Sequence, residues 1–200
     1  VSLTSGGGEA DADCFVFVQP MTPDAHYITF YSAATNLVGG NPNPGGNSVY
    51  LRDRKAGTTT LVSLTSQGQP AVGDNKVSAI SKNGRFVAFY SNAALVPEDT
   101  NGTYDAYMRD LKQGTVRRVS LGNGGVEGNG LSFLRGISGN ARFIGFVSVA
   151  DNLVDGDGNG KSDVFVRDLK MGVTTRVSVA TDGSELYTSE LAKARTETEE

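Results

Sequence analysis

The sequence predicts an all-β protein built from three copies of one four-stranded antiparallel sheet, and three observations carry that expectation. Val-Ser-Leu or Val-Ser-Val recurs at Val1, Val62, Val119 and Val177, so the chain repeats at spacings of 61, 57 and 58 residues. The pairs Arg52-Asp53, Arg109-Asp110 and Arg167-Asp168 return spacings of 57 and 58 independently. Within each unit the apolar residues alternate with a period of two, in short runs closed by turn residues, which is the pattern of strands. The units span 1–61, 62–118 and 119–176, the first opening on an orphan outer strand, Val1 to Thr4. Residues 177–200 hold the end of the third unit's outer strand and a C-terminal tail.

The second unit shows the elements most plainly. Val77-Ser78-Ala79-Ile80 reads as a first strand, and Ser81-Lys82-Asn83-Gly84 as a turn in which Asn-Gly suits positive φ. Arg85 to Ser91 is a second strand, so continuously apolar that both faces are expected to be covered. A longer loop leads to a third strand, Asp105 to Asp110, and Lys112-Gln113-Gly114 turns the chain into a fourth, Thr115 to Leu121. The third unit repeats this with Phe133 to Ile137, Arg142 to Ser148, Asp163 to Asp168 and Val173 to Val179. In the first unit the strands are Cys14 to Val18, His26 to Ser32, Ser48 to Asp53 and Thr58 to Leu64. Four antiparallel strands, the last more polar than the rest, describe a β-propeller blade. Three blades with orphan terminal strands fall short of the roughly four to eight that close a propeller, so the chain is expected to be completed from outside itself.

Composition narrows the function. With 38% hydrophobic and 20% charged residues the chain can bury a core, and 26 glycines against six prolines favour tight turns over disorder. A net charge of −4 leaves no basic face for phosphates, which argues against nucleic acid. No apolar run approaches the roughly 20 residues of a membrane span. Cys14 stands alone, which excludes a disulfide framework, and reads as a small hydrophobe beside Phe15 and Phe17. The start at Val1, without methionine or signal, fits a mature secreted product or an excised fragment.

Ser81-Lys82-Asn83-Gly84-Arg85-Phe86-Val87-Ala88-Phe89, followed downstream by Tyr107-Met108-Arg109-Asp110-Leu111, resembles the TolB-like, or PD40, propeller repeat. In that family Ser-x-Asp-Gly-Arg-x-Val-Ala-Phe marks the first two strands of a blade, and an Asp-Leu segment closes the third. The likeness covers about residues 1 to 183 and implies the fold and an extracellular, cell-surface or periplasmic location. Such propellers serve as binding platforms, enzyme domains and surface modules, so it leaves function open. Asn83 and Asn140 stand where the family has a turn Asp, and Pro23-Asp24-Ala25 makes the first unit the least regular.

The loop before the third strand is the candidate site. Asp155, Asp157 and Asn159 alternate, Gly160 follows, and Asp163 closes the series, as in the first positions of an EF-hand calcium loop. Lys161 is placed to add a backbone carbonyl, whereas Val166 stands where the bidentate Glu belongs. Asp99, Asn101, Thr103 and Asp105 keep most of the spacing in the second unit; Asn41, Asn43 and Asn47 keep oxygens without charge in the first. The expected cofactor is Ca²⁺, although Asp-Gly and Asn-Gly clusters also simply make turns. The Arg-Asp pairs read as cross-strand or turn-closing ion pairs, and Tyr27, Tyr31, Tyr50, Tyr90, Tyr104 and Tyr107 as packing between blades. His26, the one histidine, leads an apolar strand and belongs to no catalytic motif, and no Gly-x-Ser-x-Gly elbow is present.

The reading is of a non-enzymatic, calcium-stabilised extracellular propeller with a structural or adhesive role, partnered by other copies of itself in a ring or filament. The alternatives are a protein- or glycan-binding platform within a larger propeller, and the propeller of a secreted hydrolase or lyase.

Overall fold

A computed structural model describes residues 2–39 and 43–184; Val1, Asn41 and the tail from 185 to 200 lie outside the described residues. Three four-stranded antiparallel sheets follow one another along the chain. The first contains β1 (Cys14–Phe15), β2 (Tyr27–Ser32), β3 (Ser48–Asp53) and β4 (Thr58–Leu61). The second contains β5 (Asn75–Ile80), β6 (Phe86–Ser91), β7 (Asp105–Asp110) and β8 (Thr115–Arg118). The third contains β9 (Ser132–Ile137), β10 (Phe143–Ser148), β11 (Asp163–Asp168) and β12 (Val173–Arg176). Each sheet keeps the sequential order of its strands.

The recurring Val-Ser marker has a mechanical explanation. The N–H of Val62, Val119 and Val177 donates to the carbonyl of Val49, Ala106 and Val164 in turn, each at 2.8 Å. The hydroxyl of Ser63, Ser120 and Ser178 accepts from the N–H of the same three residues at 3.1, 3.0 and 3.0 Å. A hook of this kind replaces the ladder, so the fourth strands end at Leu61, Arg118 and Arg176, three residues earlier than alternation alone suggests. The expected orphan strand at the N-terminus is likewise reduced to one bridge, Leu3 to Glu9, inside a turn that recurs at Leu64 with Pro70 and at Leu121 with Glu127.

The first strand of the first sheet is also shorter than expected. Cys14 pairs with Ser32 as Asn75 pairs with Ser91 and Ser132 with Ser148. The stretch from Cys14 to Thr22 is two residues longer than Asn75 to Ser81, so Val16, Phe17 and Val18 loop out and stand 57%, 55% and 42% exposed. Cys14 itself is half-buried.

Packing between sheets follows one rule. Each sheet turns large side chains backward, toward the N-terminal end: Phe30 and Tyr50, Phe89 and Tyr107, Phe146 and Phe165, all nearly inaccessible. The forward faces carry other residues, with Tyr31, Val49 and Leu51 in the first sheet and Ala88, Ala106 and Met108 in the second. Rings of one sheet enter the forward face of the sheet before it, making one continuous core at each junction. At the head of the chain Phe30 and Tyr50 are instead covered by Ala10, Cys14, Leu37 and Val38. At the tail end the forward face of the third sheet, with Phe143 38% and Val164 40% exposed, belongs to no core cluster among the described residues.

Candidate functional site

The oxygen-rich loops come to the end of each sheet where β8 and β12 finish, and in the second and third sheets each is organised around a guanidinium. In the second sheet Arg118, side chain 4% exposed, places Nη1 3.3 Å from Asp99 Oδ1 and 3.6 Å from Asp105 Oδ2. The same nitrogen pairs closely with Glu127 Oε1, and Nη2 donates to the Glu98 carbonyl at 2.9 Å. Glu127 also accepts from the Thr100 N–H at 2.7 Å and the Thr100 hydroxyl at 2.6 Å. Thr100 and then Arg118 hold its carboxyl down at about 2 against the cost of burial. Asp105 accepts from Ser120 Oγ at 2.5 Å and Asn101 Nδ2 at 2.8 Å, yet burial pushes it up to about 6. Asp99 accepts from the Tyr107 hydroxyl, and burial followed by Asp99 itself raises that phenol far above its usual range.

The third sheet repeats the plan with fewer charges. Arg176 Nη1 lies 3.1 Å from Asp157 Oδ1 and 3.9 Å from Asp163 Oδ2, and Nη2 donates to the Gly156 carbonyl at 3.0 Å. Asn159 Nδ2 donates to Asp163 Oδ2 at 3.2 Å, and Ser178 donates to its other oxygen. Asp155 has no hydrogen-bonded or ionic partner among the described residues and is exposed. In the first sheet Asn43 ties the loop together without charge: Nδ2 donates to the Asn47 and Gly73 carbonyls at 2.8 and 2.6 Å, and Oδ1 accepts from Gly73 N–H at 3.1 Å.

The structure thus brings Asp99 and Asp105 together at Arg118, with Asn101 beside them, and Asp157 and Asp163 together at Arg176, with Asn159 beside them. The arrangement does not fit a calcium ion. The oxygens of Asn101 and Asn159 accept from Thr103 N–H and Lys161 N–H at 2.9 and 2.7 Å, closing Asx turns, and the carboxylates converge on arginine. A divalent ion beside a buried guanidinium would be repelled. Among the described residues no three His, Cys, Asp or Glu side chains are disposed to hold a metal. Alternation within the loop could not reveal Arg118, Arg176 or Glu127. The repeat register could have, because Arg118 and Arg176 fall where the first unit has Leu61.

The Arg-Asp pairs prove to be two devices. The aspartates close turns: Asp110 and Asp168 are held at about 2 first by bidentate Arg85 and Arg142, with Nη2 to Oδ2 at 2.6 Å in both. Those guanidinium groups lie 4.8 Å over Phe86 and Phe143. The neighbouring arginines, Arg52, Arg109 and Arg167, are buried and turn away to backbone carbonyls of the preceding connection. In the first sheet His26 takes the clasp position, with Nε2 2.9 Å from Asp53 Oδ1 and its ring 4.0 Å over Tyr27. That placement accounts for the histidine structurally. His26→Arg should raise stability by ~0.5 kcal/mol at low salt, read as an increase in Tm that shrinks as salt is added. A decrease would mean that the imidazole stack outweighs the second hydrogen bond.

Solved structures share this architecture. TolB from Acinetobacter baumannii superposes with a TM-score of 0.52 at 18% identity, over 86% of this chain and 34% of that one. The three sheets are β-propeller blades. An oligogalacturonate lyase in complex with manganese gives 0.52 at 14% identity, covering 84% of this chain and 42% of its own. The oligogalacturonate lyase of Vibrio parahaemolyticus gives 0.51 at 12% identity, with 83% and 40% covered. At these identities the likeness is one of fold, and the chain spans less than half the length of each. No family model and no curated protein matches the sequence. No helix among the described residues is long and apolar enough to cross a membrane.

Proposed function

We propose that the chain is a non-enzymatic propeller module that works by association, and that the forward face of its third blade receives a second copy. One observation carries this reading: Val164 is 40% exposed where Ala106, at the same place in the second blade, is 0% exposed. Phe143 and Val164, with half-buried Val147 and Val166, form the apolar face that the second blade buries against Ile144, Phe146 and Phe165. A second copy has apolar surface to bring, because Phe15 is 44% exposed and sits beside the looped-out Val16 to Val18. Phe133, at Phe15's place in the third blade, packs 5.1 Å from Tyr90 and 5.5 Å from Tyr104 of the blade before it. Phe15 of a second copy would meet Val147 in the same manner, giving a head-to-tail contact that closes a ring or propagates a filament. The extracytoplasmic location implied by the repeat resemblance and the structural or adhesive role that such association would serve belong to this proposal; calcium does not.

Sedimentation over a concentration series tests it. The wild-type chain should form dimers or larger assemblies as concentration rises, and Val164→Lys should stay monomeric with an unchanged Tm. A wild type that remains monomeric throughout would refute the second copy and leave a further sheet of a longer chain as the occupant.

A further inference from the structure

We propose that Arg118 and Arg176 are built-in cations: each guanidinium takes the place a divalent metal ion would hold in its loop, and removing it turns the loop into a calcium site.

Oxygens of Glu98, Asp99, Asp105 and Glu127 converge on the one side chain of Arg118, from positions nine to twenty residues away. Asp99, Asp105 and Arg118 are all nearly inaccessible there, so charge must be balanced inside the cluster. Carboxylates and peptide carbonyls are the kind of oxygen calcium takes up, six to eight of them about 2.3–2.6 Å away, and with the guanidinium in place no three of the described carboxylates are disposed to hold it. The third blade keeps two carboxylates, Asp157 and Asp163, and the Gly156 carbonyl around Arg176.

Comparison among the three repeats supplies a second line. The loop carboxylate and the arginine are present or absent together: Asp105 with Arg118, Asp163 with Arg176, but Ser48 with Leu61. These positions are equivalent by register, since Tyr50 pairs with Leu61 as Tyr107 pairs with Arg118 and Phe165 with Arg176. A turn that needed the aspartates for its backbone geometry alone would have no reason to lose them with the arginine. A cation and its ligands would.

Thermal unfolding of the whole chain in EDTA and in millimolar calcium tests the assignment, for the wild type, Arg118→Ala and Arg176→Ala. The wild type should have the same Tm in both and give no heat on calcium titration. Each variant should unfold at lower temperature in EDTA and recover roughly 5–10 °C once free calcium reaches about a hundred times Kd. A variant that folds only with calcium supports the proposal equally. A wild-type Tm that rises with calcium overturns it, and so do variants, folded or unfolded in EDTA, that calcium leaves unchanged.

Discussion

Arg167→Met should destabilise the protein by about 3 kcal/mol, while Arg109→Met should stay within about 1 kcal/mol of wild type. The two arginines occupy the same place in consecutive blades, and burial lowers the pKa of both, so both pay for leaving water. They differ in what they receive. Arg167 Nη1 donates to the carbonyls of Leu121 and Gly122 at 3.1 and 2.9 Å and to Thr174 Oγ1 at 3.0 Å, while Thr174 itself donates to Leu121 O at 2.5 Å. Arg52 makes the same set with Leu3, Thr4 and Thr59. In the second blade that threonine is Val116, and Arg109 keeps a single bond of 3.3 Å, to Leu64 O. Methionine preserves much of the aliphatic packing and removes the donors. In Arg167→Met two carbonyls lose a charged donor; in Arg109→Met the relief of desolvation offsets one long bond. Thermal unfolding should show a drop of about 6–12 °C for the first and little change for the second. Equal losses would mean that packing, not the carbonyl staple, is what these arginines contribute.

Asp105→Asn should make the protein more stable than wild type above about pH 6 and remove a pH dependence that the wild type shows. With its folded pKa raised to about 6 from 3.8 by burial, Asp105 holds its proton more tightly when folded than when unfolded. Its favourable contribution is therefore fully present below about pH 3.8 and is lost as pH rises through about 6. The difference amounts to roughly 3 kcal/mol, the burial cost net of Ser120, Asn101 and Arg118, which favour the ionised form. Between about pH 4 and about pH 8 the Tm of Asp105→Asn minus that of the wild type should grow by several degrees. The opposite slope belongs to Asp110, Glu127 and Asp168, each held at about 2: their contributions are present above about pH 4 and fall away in strong acid. A flat difference curve would show that Asp105 ionises as it does in water.

Much of the blade plan was legible because it is local. The apolar run in Phe86 to Ser91 and the Asn83-Gly84 turn lie within a few residues, and they recur at one period, so coincidence averages out across repeats. The misreadings come from interactions that alternation does not encode. The strands Thr115 to Leu121 and Val173 to Val179 keep alternating, but Ser120 and Ser178 hook back to a neighbouring strand and end the ladder. The loop oxygens were visible; the cation facing them was not, because Arg118 lies 19 residues from Asp99 and 13 from Asp105 and meets them only once β8 is laid beside β7.

By itself the sequence determined that this is a chain of repeated four-stranded sheets with oxygen-rich loops, since both arise from spacing along the backbone. Only the tertiary structure decided which face is left open and what neutralises the loops. Each blade buries its rings in the face of the blade before it, so exposure at Val164 depends on whether another sheet packs against it, and Arg118 reaches its carboxylates across a sheet.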